Sequence, residues 1–73
     1  MAESFERRAG TVSAFDETRG LGEVTTESGE RLGFHCTAIA DGSRTIAINR
    51  PVQFLVVPGQ LGRWEAVDIR DRD

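Results

Sequence analysis

Two short runs hold most of the side chains able to bind or react. Arg19 to Val24 reads R-G-L-G-E-V and, some ten residues on, Leu32 to Cys36 reads L-G-F-H-C. A glycine inside a strand carries no Cβ, so a second backbone or a flat ligand can approach closely there. Thr25 to Glu30 (T-T-E-S-G-E) reads as a turn, so the two runs form a hairpin whose outward face is a candidate binding platform. His35 brings an imidazole that can stack, or donate a hydrogen bond to a base or a phosphate; equally, it can simply cap the outer face of its strand. All nine basic residues are arginine, a side chain that both stacks on bases and forks onto phosphate.

Other chemistries find less support. Cys36 next to His35 suggests a metal or a nucleophile, but neighbouring strand residues point to opposite faces. A metal site needs three or four ligands, and the chain has one His and one Cys. A cysteine nucleophile needs a base within hydrogen-bond reach and a pocket; an inert, partly buried thiol is the expectation for Cys36. Asp16, Glu17, Glu23, Glu27 and Glu30 cluster around the first strands. Catalytic carboxylates need a cleft that drives their pKa values apart, and these read as solvated turn residues. No enzymatic activity, metal or cofactor is expected.

The elements that must position these residues are strands. Turn signals recur at Asp16 to Gly20, Ser28-Gly29, Asp41-Gly42-Ser43 and Pro58-Gly59, with short β-favouring runs between them. That spacing predicts a small all-β barrel or sandwich, with strands at 8–15, 21–26, 30–36, 50–57 and 63–70. Pro51 opens the fourth strand, where proline is tolerated. Pro58-Gly59 and Gln60 to Gly62 close the last hairpin. Thr37 to Ala40 allows one helical turn, with Ile39 plugging a barrel end.

Alternation then sets the inside. Gly22, Val24, Leu32, Phe34, Val52, Phe54, Val56, Val67 and Ile69 are expected to point in. Leu21, Glu23, Gly33, His35, Gln53, Leu55, Val57, Trp64, Ala66 and Asp68 are expected to point out. Met1 to Arg7 has no useful periodicity and reads as a flexible lead-in, with Phe5 able to tuck against the barrel. Residues 8–70 form the domain and 71–73 a tail.

In order and spacing, residues 8 to 70 resemble the cold-shock domain family. The motifs R-G-L-G-E-V and L-G-F-H-C stand where the family has roughly K-G-F-G-F-I and V-F-V-H-F. Gly10 to Asp16 stands at its G-x-V-K-W-F-N, Thr37-Ala38-Ile39 at S-A-I, and Arg44-Thr45-Ile46 at K-T-L. Val52-Gln53-Phe54 stands at V-x-F, and Ala66 to Ile69 at A-x-N-V. The resemblance implies a five-stranded antiparallel barrel of the oligonucleotide-binding (OB) fold. It also implies binding of single-stranded RNA or DNA. It places Ala14 and Cys36 near the platform, against strict alternation, which requires a bulge or strong coiling at those strand ends.

The departures fall on the platform. The family's tryptophan is Ala14 here, its first-motif phenylalanines are Leu21 and Glu23, and its second-motif phenylalanines are Gly33 and Cys36. Phe15 and His35 match; the usual lysines of the first strand are Thr11 and Ser13, and Arg19 remains. Stacking a base on an aromatic side chain contributes about 1–3 kcal/mol, so the missing rings remove on the order of 5–10 kcal/mol. Against the roughly 12 kcal/mol of a nanomolar complex, that predicts weak binding. Phe15, Arg19, Leu21, His35, Arg44 and Trp64 are the residues left to form a sparser surface. In the family, Arg44 would lie in a loop overhanging the platform, and Trp64 near a proline beside the binding face. Alternatively, Trp64 covers the barrel side and the arginines are solvated.

An outward apolar patch on a small chain often marks a partner surface. Leu55, Val57 and Trp64, or the Leu21 and Gly33 face, are therefore the alternative: a site for a protein partner or a homodimer. Length and charge bound the rest. At 73 residues the chain is one domain, small enough to bury only about 60% of its extended surface. The lone cysteine fits a reducing compartment. No run is long enough to cross a membrane, which gives a cytoplasmic expectation. The net charge of −3 limits gain from phosphate neutralisation unless cations gather on one face.

Overall fold

The computed structural model describes residues 7–59 and 62–72, so Phe5 and the Gln60 part of the last hairpin lie outside the described residues. Five strands form: β1 (Arg7–Asp16), β2 (Leu21–Thr26), β3 (Arg31–His35), β4 (Pro51–Pro58) and β5 (Trp64–Asp71). They close into a barrel in the order β1-β2-β3-β5-β4. Long β1 serves two neighbours: Arg7 to Thr11 pair with β4, and Gly10 to Asp16 pair with β2. Every pairing is antiparallel except the closing one, where β3 meets β5 in parallel at Gly33 and Glu65.

The core follows the apolar alternation. Val12, Val24, Leu32, Phe34, Ile39, Val52, Phe54, Ala66 and Ile69 are buried together, with Phe15, Ala38, Ile46 and Val56 packed against them. Each large side chain so buried contributes about 1.5–3 kcal/mol. The helical turn is a 3-10 turn at Cys36–Ala38. Ile39 behind it plugs the barrel end as expected, bridging to Ile69, with Ala40 N–H donating to the Ile69 carbonyl at 2.9 Å.

Two bulges break the period of two. In β1 the register slips between Val12 and Ala14, so Ser13 is the extra residue and Ala14 turns out to solvent. This is the irregularity the family resemblance requires. In β5 the pairs step from Gln53 with Arg70 to Leu55 with Val67. The inserted residue is Asp68, at φ 52°. The expectation of Val67 inside and Ala66 outside is therefore corrected. Ala66 is buried and Val67 half-buried beside Leu55, because the bulge puts two residues, not one, between the inward positions Ala66 and Ile69.

Arginine pairs hold Asp68 in this unusual backbone region. Arg7 bonds its carboxylate and donates to its carbonyl at 3.1 Å, and Arg70 reaches the carboxylate at 3.1 Å. The hydrogen bond from Arg70 lowers the Asp68 pKa below the ordinary 3.8.

Candidate nucleic-acid interface

The register lays out the face of β1, β2 and β3 in rows. Asp16, Leu21 and His35 form one outward row, and Ala14, Glu23 and Gly33 the next. Through the β3–β5 pair, the second row continues to Glu65. Thr11, Thr25 and Arg31 form the third. Between the first two lies the inward row Phe15, Gly22 and Phe34. Gly22 is required there because the Phe34 ring and the Ala14 carbonyl occupy the space a Cβ would need. Phe15 stacks on Phe34 with centroids 6.0 Å apart and planes 7° from parallel. One face of Phe15 is thus committed to flooring the hairpin.

Leu21, at 46% exposed, stands free beside His35. The backbone N–H of Thr37 donates to His35 Nδ1 at 3.2 Å. A nitrogen that accepts from an amide carries no proton, so the neutral ring holds its hydrogen on Nε2. That leaves one directed donor. Cys36 starts the 3-10 turn rather than ending β3, so its Sγ comes within 3.9 Å of His35 Nδ1 instead of pointing to the opposite face. The Nδ1 lone pair is already engaged by Thr37. Among the described residues no cluster of His, Cys, Asp and Glu forms a metal site, and no helix is long and apolar enough to cross a membrane.

Trp64 begins β5 and is 58% exposed. It borders a cleft with Leu21, Gly22, Gly33, Phe34, His35, Arg63 and Glu65. The structure therefore brings Leu21, His35 and Trp64 to one place. Across the hairpin Trp64 is opposite Pro58, whereas Val57 is opposite Glu65 and Leu55 opposite Val67. Leu55 and Val57 are half-buried on the face away from the one Trp64 takes.

Arg19 and Arg44 lie outside the cleft. Arg19 sits in the Asp16 turn, whose carboxylate accepts from the Thr18 and Arg19 amides at 3.0 and 3.2 Å. Its guanidinium is 4.0 Å from that carboxylate and largely solvated. Arg44 adopts φ 62° in the loop before β4. Its neighbour Thr45 donates to Glu17 at 3.1 Å, which ties that loop to the turn carrying Arg19.

Apart from Arg19, the arginines divide into two sets. Arg8 pairs with Glu30, Arg72 with Glu27, and Arg50 with Asp71 through bonds of 2.5 and 2.7 Å. With Arg7 and Arg70 on Asp68, these lace the strand ends, and none of them lines the cleft. The Arg50 hydrogen bond lowers the Asp71 pKa, and the Ser43 backbone N–H lowers that of Asp41. Arg31, Arg44 and Arg63 have no carboxylate partner among the described residues. Arg63 and Glu65 were not singled out from sequence. The signal was the run R-W-E, an aromatic between opposite charges just after Gly62.

A carboxylate stands in the middle of the platform. Glu23, half-buried, is held by the Ser13 hydroxyl, which donates to its carbonyl at 3.2 Å and its carboxylate at 3.4 Å.

The profile of the 'Cold-shock' DNA-binding domain matches residues 8–71. The major cold shock protein CspA of Pseudomonas aeruginosa is 39% identical over 57 residues, covering 77% of this chain and 83% of that protein. Glycine-rich protein 2 of Nicotiana sylvestris is 38% identical over 73 residues, and the chain spans only 34% of its length. Among solved structures, drosophila Unr CSD456 superposes with a TM-score of 0.78 at 35% identity, covering 96% of this chain and 28% of that one. The barrel order, the bulged first strand and these matches together make the chain a member of the cold-shock domain family, non-catalytic OB-fold domains associated with nucleic-acid binding.

Proposed function

We propose that this domain binds unpaired RNA or DNA weakly, in the cytoplasm, through the cleft bordered by Leu21, His35 and Trp64. The observation that carries this reading is an exposed indole beside an imidazole with a free Nε2–H donor. Two stacking partners contribute about 1–3 kcal/mol each. Arg19, Arg44 and Arg63 add phosphate attraction at the margins, while Phe15 supports the floor. Affinities in the high-micromolar to millimolar range are expected, about 4–6 kcal/mol. Titration of labelled protein with mixed single-stranded oligonucleotides, at low and physiological salt, tests this. Amide shifts at Leu21, His35 and Trp64 that fade with salt support it; silence at millimolar oligonucleotide overturns it.

A protein partner or self-association is the second reading. It is favoured by the half-buried Leu55–Val67 pair on the outer side of β4 and β5. Sedimentation at increasing concentration tests it.

A further inference from the structure

We propose that Phe5 and Glu6 lengthen β1 along the unpaired end of β4 and lay the Phe5 ring on Val57, so that the apolar outer face of β4 and β5 is covered by the chain's own N-terminal residues. This is the face turned away from Trp64, and the one that the second reading offers to a partner. β4 runs to Pro58, but β1 starts at Arg7, opposite Leu55. Val56, Val57 and Pro58 pair on the β5 side with Ala66, Glu65 and Trp64, and have no described strand partner on the β1 side. A strip of unpaired strand edge is thus left, continuous with an existing ladder and ready to accept another strand. Glu6 and Phe5 are the residues that directly precede Arg7.

The direction of the backbone groups fits. Val12 N–H donates to the Arg50 carbonyl, just before β4, at 3.1 Å, whereas the Ala9 carbonyl accepts from Glu27 N–H, just after β2, at 3.3 Å. Backbone polar groups alternate sides along a strand, and the register from Arg7 to Thr11 is unbroken. Val12, Gly10 and Arg8 therefore turn theirs to β4, and Glu6 is next. Its pair is Val56, with which it exchanges N–H···O bonds. Phe5 then stands opposite Val57, its side chain on the outward face that Arg7 and Leu55 share. Arg7 shows the course a side chain from this stretch takes: it crosses over β4 to the Asp68 carbonyl on β5, at 3.1 Å. Two residues ahead, about 7 Å along the strand, Phe5 takes the same course over Val57. Leu55, Val57 and Val67 are half-buried, and the carboxyl end of Glu65, across from Val57, lies against Gly59. An apolar ring matches this surface, and it falls at the one register position that reaches it.

The test is amide exchange and NOE spectroscopy on the full chain in dilute solution. The Val56 amide is expected to be protected like that of Phe54, and the Phe5 ring to show NOEs to the Val57 methyl groups. In Phe5→Ala the Val56 amide is expected to exchange about tenfold or more faster, as the loss of a buried ring implies. Phe54, paired with Arg8, keeps its rate in the same variant. Phe5→Leu, which retains an apolar side chain, keeps most of the Val56 protection. A freely exchanging Val56 amide, or no contact of the ring with Val57, overturns the proposal. So do contacts found only between labelled and unlabelled copies in a mixed sample, which would make the occupant a second copy. Neither failure touches the oligonucleotide titration at Leu21, His35 and Trp64, so the nucleic-acid reading stands or falls separately.

Discussion

At the scale of single residues, two glycines in neighbouring rows have opposite roles. Gly22 makes room for the Phe34 ring, so Gly22→Ala is expected to destabilise the fold by about 1–3 kcal/mol, as overpacking does. Nothing comes closer to a Cβ at Gly33 than the Gly22 carbonyl oxygen at 3.9 Å, so Gly33→Ala stays within about 0.5 kcal/mol of the parent. Urea midpoints of the two variants check the contrast. Because the Gly33 position is open, rings can be put back on the platform. Leu21→Phe, Glu23→Phe and Gly33→Phe together are expected to raise oligonucleotide affinity by about two to four orders of magnitude, at 1–3 kcal/mol per stacked base and less than full additivity. Anisotropy with a labelled oligonucleotide measures it. The inward and outward assignments of β2 and β3 were legible in the sequence, from Leu21 through His35. Whether a charged side chain finds a partner was not, because Arg63 and Glu65 look in sequence like any solvated pair.

At the scale of elements, β5 shows where alternation fails. A single inserted residue shifts every later side chain to the other face, and the left-handed position is occupied by Asp68 rather than by a glycine that would advertise it. Val67 and Ala66 were accordingly read on the wrong faces. The bulge of β1 was legible only through the family resemblance, which placed Ala14 outside. Arg7 and Arg70 clamp the β5 bulge, and this sets an acid dependence. Asp41, Asp68 and Asp71 all have folded-state pKa values below 3.8. Their contribution is therefore present above that value and is lost as pH falls through the lower folded values. Unfolding midpoints are expected to be flat from about pH 7 to 5 and to drop below about pH 4. Asp68→Asn, which tolerates the same backbone region but has no charge to lose, should show lower stability at neutral pH and a shallower acid limb.

At the scale of the whole molecule, the charges are sorted. The chain carries a net charge of −3, and most of its arginines are used in lacing the strand ends together, which leaves only a few guanidinium groups for the cleft and its margins. A strand that engages about two of them should show a salt slope near −1.4. Raising salt from about 50 to 200 mM should then cost about five- to tenfold in affinity. A steeper slope in a salt titration would mean that the carboxylate-paired arginines also reach the phosphates.

The closing seam of the barrel has a mechanical consequence. β3 meets β5 at one residue pair, Gly33 with Glu65, and the Ile39–Ile69 bridge lies beyond the 3-10 turn, whereas the other strands share full antiparallel ladders. Amide protons along this seam should swap for deuterium sooner than those shared by β1 and β2. The same gap opens onto the Trp64 cleft, so the wall that a bound base would press on is also the one that yields first.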